Sequence, residues 1–229
     1  MSQAHTTHNQ LFSTPTQIHH ILQRRKLLKS HFNLKVQFSA LEETCVPSYC
    51  HGNWLAAYAA WWRLFAAVRL ATRFGNPVKI LDFGAGCGEL RHLLPENSYY
   101  HAAEEDNEIA KALCELVPDA NLVKNIGAKK DCYDIVFALD CLEHNEDPET
   151  IIECLCQSLK PGGILILSGP TENHLYKLGR YVSGFHGDYH TTDIYRISTL
   201  AHKHLACVYA TQGPWRLPLF LVSAWRRHP

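Results

Sequence analysis

VKILDFGAGCGEL, residues 78–90, is the stretch that decides the fold of this chain. An apolar-rich run leads into Gly84, Gly86 and Gly88 at G-x-G-x-G spacing. Glycines allow the sharp turn that the chain needs after a strand, and they let a ligand approach the bare backbone. The stretch therefore predicts the first strand of a parallel α/β sheet, with a ligand-binding loop at its carboxyl end.

The residue after the third glycine indicates what this loop does not bind. Nicotinamide and flavin sites carry G-x-G-x-x-G, and their open helix N-terminus receives a pyrophosphate. Here Glu89 stands where the last glycine of that motif would be. A carboxylate at that place opposes a pyrophosphate, and Asp82 before the loop suits a cationic or amino-acid-bearing ligand. A nucleotide-dependent oxidoreductase is therefore the less favoured enzyme class.

An acidic run at 104–106 follows the second predicted strand. Glu104 lies twenty residues after Gly84, where this architecture places the acid that binds both ribose hydroxyls. Asp106 is expected to cap the following helix. Strand, loop, helix, strand and acid in this order predict a nucleoside site.

Beyond the glycine loop, short apolar runs alternate with helical stretches, the pattern of β-α-β units. Strands are predicted at 78–83, 99–104, 120–125, 133–139 and 163–168, with two closing strands at 205–211 and 219–225. Helices are predicted at 15–30, 54–73, 88–94, 106–117, 148–159 and 196–204, and 169–192 is expected to be rich in loops. The expected fold class is α/β, a doubly wound, mixed seven-stranded sheet with an N-terminal helical cap. The predicted divisions are a disordered tail (1–13), the cap (14–77) and the core (78–229).

The composition excludes several classes of protein. The 229 residues are 46% hydrophobic and 19% charged, unlike collagen-like, coiled-coil or disordered chains. Basic and acidic residues number 22 each, which argues against a nucleic-acid binder. Nine cysteines without a C-x-x-C pair, and a polar N-terminus unlike a signal peptide, predict reduced thiols in a cytoplasmic protein. The longest apolar stretch, 54–72, contains Arg63 and Arg69 and is not expected to span a bilayer.

The neutral total hides an asymmetry between the first third of the chain and the rest. Residues 1–77 hold eight lysines and arginines against two glutamates, a net charge of +6, so the remainder is −6. One interpretation is a basic cap packed on an acidic core, closing as a lid over the ligand, with Tyr49 as a contact. The other is peripheral contact of the basic helix 15–30 and the tryptophan-rich segment with an anionic membrane.

Several motifs in order resemble the class I S-adenosylmethionine-dependent methyltransferases. They are the loop at 80–88, Glu104, YDIVF at 133–137, LEH at 142–144 and LKPGG at 159–163, and the resemblance covers about residues 78–197. It implies a Rossmann-like fold with S-adenosylmethionine as cofactor. Asp82 and the loop would then face the methionine moiety, Glu104 the ribose, and Asn125 with Ile126 the adenine. The expected cofactor-binding residues are Tyr49, Asp82, Gly84, Ala85, Gly86, Gly88, Glu104, Glu105, Asn125, Ile126 and Leu139.

Methyl transfer from a sulfonium needs alignment more than acid-base groups, so no catalytic triad is expected. Asp140, Glu143 and His144 follow the fourth strand at i, i+3 and i+4, one face of a helical turn. The segment looks like the acidic-histidine segment of ubiquinone-pathway O-methyltransferases, where such residues hold a divalent cation. Three interpretations stay open: a metal site, pocket lining without metal, and a structural role. We expect no metal, with Asp140 and His144 as catalytic residues.

A second polar cluster, GFHGDYH at 184–190, is expected to lie over the acceptor side of the sheet. His190 is the third predicted catalytic residue, with Tyr189 as another possible acceptor contact, and a plain loop is the alternative. The predicted function is methyl transfer to a small-molecule or lipid-like acceptor, at oxygen or carbon. A cofactor-binding protein without turnover is the non-enzymatic alternative.

Overall fold

The computed structural model of the protein describes residues 14–34, 41, 44–182, 192–215 and 217–228. Its strands are β1 Lys79–Phe83, β2 Tyr99–Ala103, β3 Asn121–Leu122, β4 Tyr133–Leu139, β5 Leu159–Pro170, β6 Ala206–Gly213 and β7 Phe220–Arg226. They form one sheet in the order β3-β2-β1-β4-β5-β7-β6, in which β7 runs antiparallel to both of its neighbours. The predicted mixed seven-stranded sheet is confirmed. The predicted tail, residues 1–13, lies outside the described residues.

The described helices flank this sheet. They are α1 Thr14–His31, α2 Val46–Tyr49, α3 Trp54–Ala71, α4 Asn107–Leu116, α5 Pro148–Ser158, α6 His174–Val182 and α7 Ile194–Ala201. Short 3-10 turns span Thr72–Phe74, Glu89–Leu93, Ile126–Ala128 and Leu142–His144. None of the described helices is both long and apolar enough to cross a membrane.

Three local predictions need correction. The helix expected at 88–94 is the 3-10 turn Glu89–Leu93, because the backbone becomes extended at Leu94, ahead of Pro95. The stretch expected to be loop-rich contains α6, where Asn173 Oδ1 accepts a hydrogen bond from Tyr176 N (2.8 Å). Strand β5 begins at Leu159 rather than 163, since Leu159 pairs with Tyr133 before a register shift in the ladder.

Helix α3 joins the N-terminal segment to the sheet. Its N-cap is Asn53, whose side chain accepts a hydrogen bond from Leu55 N (2.9 Å). The helix packs against β5 and β7, and Trp61 is fully buried. The predicted, mostly buried helix is confirmed. The division of the chain at residue 77 stays a prediction, because α3 and the strands bury side chains in the same core.

Gly88 fits its place in the fold for two separate reasons. Its φ is +77°, a left-handed conformation that favours glycine. A β-carbon there would also lie 2.7 Å from Cγ2 of Val117, just beyond the end of α4. The third glycine of the loop therefore allows the loop to pack closely against the end of α4.

This double constraint predicts the cost of a methyl group at Gly88. Gly162 has nearly the same φ, +76°, and open space around its α-carbon, so Gly162→Ala reports conformational strain alone, about 1–2 kcal/mol. We expect Gly88→Ala to cost about 1–3 kcal/mol more, because the methyl group also overpacks the contact with Val117. Urea unfolding of both variants measures the difference, and equal losses would refute the packing argument.

Candidate functional site

A cavity of about 1030 Å³ opens where β1, β2 and β4 end. Its wall includes five residues of the N-terminal segment: Thr44, Cys45, Val46, Tyr49 and Leu64. The cavity brings together most of the residues predicted for the cofactor and the acceptor: Tyr49, Asp82, Gly84, Ala85, Gly86, Glu104, Glu105, Ile126, Leu139, Asp140 and His144.

Three predicted site residues are not in this wall. Gly88 faces α4 instead, as described above. Asn125 is exposed beside the cavity, and Val123 and Lys124 line it in its place. Val123 continues the β3 ladder by donating from N to Ala102 O (2.8 Å), a register that the sequence pattern did not reveal. His190 lies outside the described residues.

The glycine loop presents bare backbone to the cavity. Gly84 N and Ala85 N both donate to Ala103 O (2.9 and 3.1 Å), which fastens the loop to the end of β2. Gly86 has φ +53° and no atom within 4 Å of the place where a β-carbon would be. A ligand can therefore approach Gly86 closely, as the sequence predicts.

Glu104 is held beside this loop by backbone donors. Its Oε2 accepts from Gly86 N (2.8 Å) and its Oε1 from Asp106 N (3.1 Å). Asp106 Oδ1 in turn accepts from Glu108 N and Ile109 N (2.8 and 3.0 Å), so the predicted cap of α4 is confirmed. The carboxylate of Glu104 is thus placed at the cavity wall between the glycine loop and α4.

Asp82 ends the first strand as a buried carboxyl group of the cavity wall. Burial raises the pKa of Asp82 to about 7, against the opposing effect of the hydrogen bond that Tyr100 Oη donates to its Oδ2 (2.6 Å). The neighbouring charge of Glu104 adds to the rise. A cationic ligand beside Asp82 would favour its ionised form, so the site matches the ligand charge expected from the sequence.

The exit of β4 is organised by an arginine from the N-terminal segment. Arg63 of α3 is buried, and its Nη1 lies 2.7 Å from Oδ2 of Asp140. Ser168 Oγ donates to the same oxygen (3.2 Å), and Asp140 has φ +52°. The guanidinium also stacks over Phe220 at 4.8 Å. Arg63 is not among the residues predicted for the site, although a charge inside an apolar helix was the available signal.

The predicted face of Asp140, Glu143 and His144 is divided in the structure. Asp140 turns to Arg63, Glu143 is buried and does not line the cavity, and His144 does line it. Burial, together with the charge of Asp140, raises the pKa of Glu143 to about 8. Within the described part of the chain, no group of three or more His, Cys, Asp and Glu residues is arranged to hold a metal ion.

Two cations of the basic first third pair with carboxylates of the rest of the chain. Arg63 binds Asp140, and Arg24 of α1 binds Glu89, another residue of the cavity wall. Both pairs follow the interpretation of a basic cap packed on an acidic core. They place the N-terminal segment at the cavity.

Comparison with known proteins identifies a family. The methyltransferase-domain family matches residues 57–210, more than half of the chain. The ubiquinone biosynthesis O-methyltransferase of Shewanella sp. (strain ANA-3) is 31% identical over 105 residues, which cover 42% of this chain and 44% of that protein. The mitochondrial ubiquinone biosynthesis O-methyltransferase of Homo sapiens is 34% identical over 122 residues, 46% of this chain and 33% of that protein. The chain thus spans less than half the length of these relatives.

Solved structures share the fold at low identity. Magnesium protoporphyrin IX methyltransferase from Synechocystis PCC 6803, with bound S-adenosylhomocysteine, matches with a TM-score of 0.64 and 16% identity over 82% of this chain and 94% of that chain. The N-methyltransferase NodS from Bradyrhizobium japonicum WM9, in complex with S-adenosylhomocysteine, matches with a TM-score of 0.58 and 17% identity over 72% and 86%.

The family match thus covers most of α3, the glycine loop, strands β1 to β5 and the first part of β6. The cavity supplies the bare backbone and the carboxylates that a sulfonium-bearing nucleoside needs. The chain belongs to the methyltransferase-domain family.

Proposed function

We propose that the protein methylates a hydroxyl oxygen of a small-molecule or lipid-like acceptor. The observation that carries the proposal is the single cavity that the glycine loop and the β4 exit share, with Gly86 and Glu104 on one side and Asp140, His144 and Asn145 on the other. Oxygen, rather than carbon, is supported by the names of the two relatives, both ubiquinone biosynthesis O-methyltransferases.

The cavity wall suggests how the cofactor lies. We assign the methionine moiety to Asp82 and the loop 84–86, and the ribose to Glu104 with Glu105 as its neighbour. The adenine would lie against Val123 and Ile126, and Tyr49 and Leu139 would adjoin the reacting centre. All four residues line the cavity.

When bound, the cofactor supplies a methyl group on a positively charged sulfur, and the acceptor oxygen displaces that sulfur in line. The C–S bond breaks as the C–O bond forms, the bonding electrons return to sulfur, and the hydroxyl proton must leave. His144 is the cavity-lining group that we assign to take this proton. Asp140, held by Arg63, would orient the acceptor beside it. The contribution of His190, which lies outside the described residues, stays a prediction.

Two further assignments concern the surroundings of the enzyme. All nine cysteines are free thiols, which supports a cytoplasmic location, where thiols stay reduced. The solvent face of α1 supports peripheral contact with an anionic membrane, because Leu22 and Leu27 are exposed beside Lys26 and Lys29. The tryptophan-rich helix cannot serve this contact through Trp61, which is in the core.

Glu104→Ala tests the cofactor assignment. We expect it to weaken binding of S-adenosylhomocysteine by about 1–3 kcal/mol, the scale for losing hydrogen bonds to a charged group. Isothermal titration calorimetry measures the change, with the exposed Glu108 as control in Glu108→Ala. Wild-type protein should show no heat with NAD. Unchanged affinity in Glu104→Ala would remove Glu104 from the ribose site.

A screen with methyl-labelled S-adenosylmethionine tests the acceptor. Phenols and catechols, with and without an isoprenoid tail, are offered to wild type and to His144→Ala, first with chelator and then with magnesium restored. We expect O-methylated product, activity that survives chelation, and a loss of at least tenfold in His144→Ala. The exposed His228 is the control, in His228→Ala.

Other outcomes of this screen contradict separate parts of the proposal. A labelled methyl group bonded to a carbon atom of the product would refute oxygen as the acceptor atom, and activity lost with chelator would favour the metal site. Cofactor binding without turnover of any compound would favour the non-catalytic alternative.

Co-sedimentation with vesicles tests the membrane contact. We expect binding to phosphatidylglycerol vesicles at low salt and release at high salt, because exposed charges are screened within about 10 Å at 0.1 M. Lys26→Glu with Lys29→Glu should abolish binding. A truncation is less suitable, because Ile21 and Leu28 of α1 are core residues. Lys111→Glu with Lys130→Glu, exposed elsewhere, is the control, and equal binding to phosphatidylcholine would contradict the contact.

A further inference from the structure

Helix α1 reaches the cofactor loop through one ion pair. Arg24 Nε donates to Glu89 Oε2 (2.8 Å) and Arg24 Nη2 to Glu89 Oε1 (2.7 Å), a bidentate geometry. Their side chains are only 13% and 2% exposed. Glu89 directly follows the glycine loop and lines the cavity. The pair therefore links a helix that does not line the cavity to a residue that does.

The position of Arg24 on α1 explains why the pair is buried. Gln17, Ile21 and Leu28 are buried on this helix, and Arg24 falls on the same stripe at spacings of four, three and four residues. His20 packs beside the stripe, with its ring 5.7 Å from that of Trp61. Arg24 is thus the cation of this stripe, and its neighbour Arg25 contacts His51 O and the ring of Trp54 instead.

The pair differs from a surface ion pair in what its loss would do. Lys203 and Glu149 form a pair with side chains 51% and 54% exposed, and water can solvate either partner alone. Glu89 is different, because burial of an unpaired carboxylate is strongly unfavourable. Without Arg24, Glu89 would either bind a proton or be hydrated through movement of the turn Glu89–Leu93. Either change alters the cavity wall beside the loop that carries Gly86.

We propose that Arg24 is a positioning residue for the cofactor, acting through Glu89. Docking of α1 and binding of the cofactor are then coupled in both directions, since coupling free energies between two sites are reciprocal. Cofactor binding would hold α1 on the core, and a docked α1 would hold the glycine loop in its binding conformation. The inference concerns cofactor binding alone and does not depend on which acceptor the enzyme uses.

Hydrogen exchange of α1 amides, with and without S-adenosylhomocysteine, tests the coupling in the wild-type protein. We expect the ligand to slow exchange in residues 17–31 at least fivefold. Exchange in α1 that is insensitive to a saturating ligand would overturn the proposal. This measurement needs no variant, so it decides the matter even where a substitution prevents folding.

Variants then test whether Arg24 is the link. We expect Arg24→Gln to weaken S-adenosylhomocysteine binding at least tenfold and to remove the ligand effect on α1 exchange. Arg24→Lys should restore part of both, because it keeps the charge and loses the bidentate geometry. Glu89→Gln and the double variant complete a double-mutant cycle. If the two residues act as a pair, the double variant should lose less binding free energy than the two single variants lose in sum.

Two controls separate coupling from general damage. Lys111→Gln removes one exposed positive charge from α4, and Gln23→Ala alters the exposed face of α1; both should bind S-adenosylhomocysteine like wild type. If Arg24→Gln exchanged faster in α1 but bound the ligand with unchanged affinity, Arg24 would only anchor the helix and the proposal would fail. Additive losses in the cycle would also refute it.

Discussion

A β-carbon on Gly84 would lie 2.4 Å from the β-carbon of Cys141, so the exits of β1 and β4 come this close only with glycine at that position. Strands β1 and β4 are neighbours in the middle of the sheet, and their exits carry the glycine loop and the segment 140–145. Close approach merges what would be two separate clefts into one cavity. Because methyl transfer requires the donor and the nucleophile in line within one enclosed space, this contact is the geometric condition for the chemistry.

Buried charge is the second condition, and it explains the N-terminal segment. Asp82, Glu89 and Glu143 are all buried around the cavity, where an unpaired carboxylate is unfavourable in free energy. The structure handles them in different ways. Burial raises the pKa of all three, and Glu89 is in addition paired with Arg24 of α1. Asp140, whose side chain is 7% exposed, is paired with Arg63 of α3. The excess of positive charge in the first 77 residues thus includes two cations that the core itself needs.

Local patterns predicted what depends on local sequence. The strands of the sheet, the buried helix α3 and the Asp106 cap follow from apolar runs and from capping chemistry within a few residues. The long-range pairs of Arg24 and Arg63 were not predictable, because no local rule states which acid a distant arginine meets. Helix α6 was not predicted, although Leu175, Leu178 and Val182 recur at helical spacing. In the structure, Leu175 and Leu178 are exposed. The G-x-G-x-G spacing likewise could not show that Gly88 turns away from the cavity, since this depends on its contact with Val117.

The charge of the cavity wall bears on how the reaction proceeds past the transfer step. Among the described residues of the wall, four carboxylates accept no hydrogen bond from an arginine or lysine: Asp82, Glu104, Glu105 and Asp106. Lys124 is the one lysine or arginine among these described wall residues. In the proposed reaction, such a surface would attract the sulfonium before transfer. Transfer would leave a neutral sulfur, so the attraction to that atom would be lost while the contacts assigned to ribose and adenine would remain. The same carboxylates would therefore favour binding of the charged donor over retention of the neutral product.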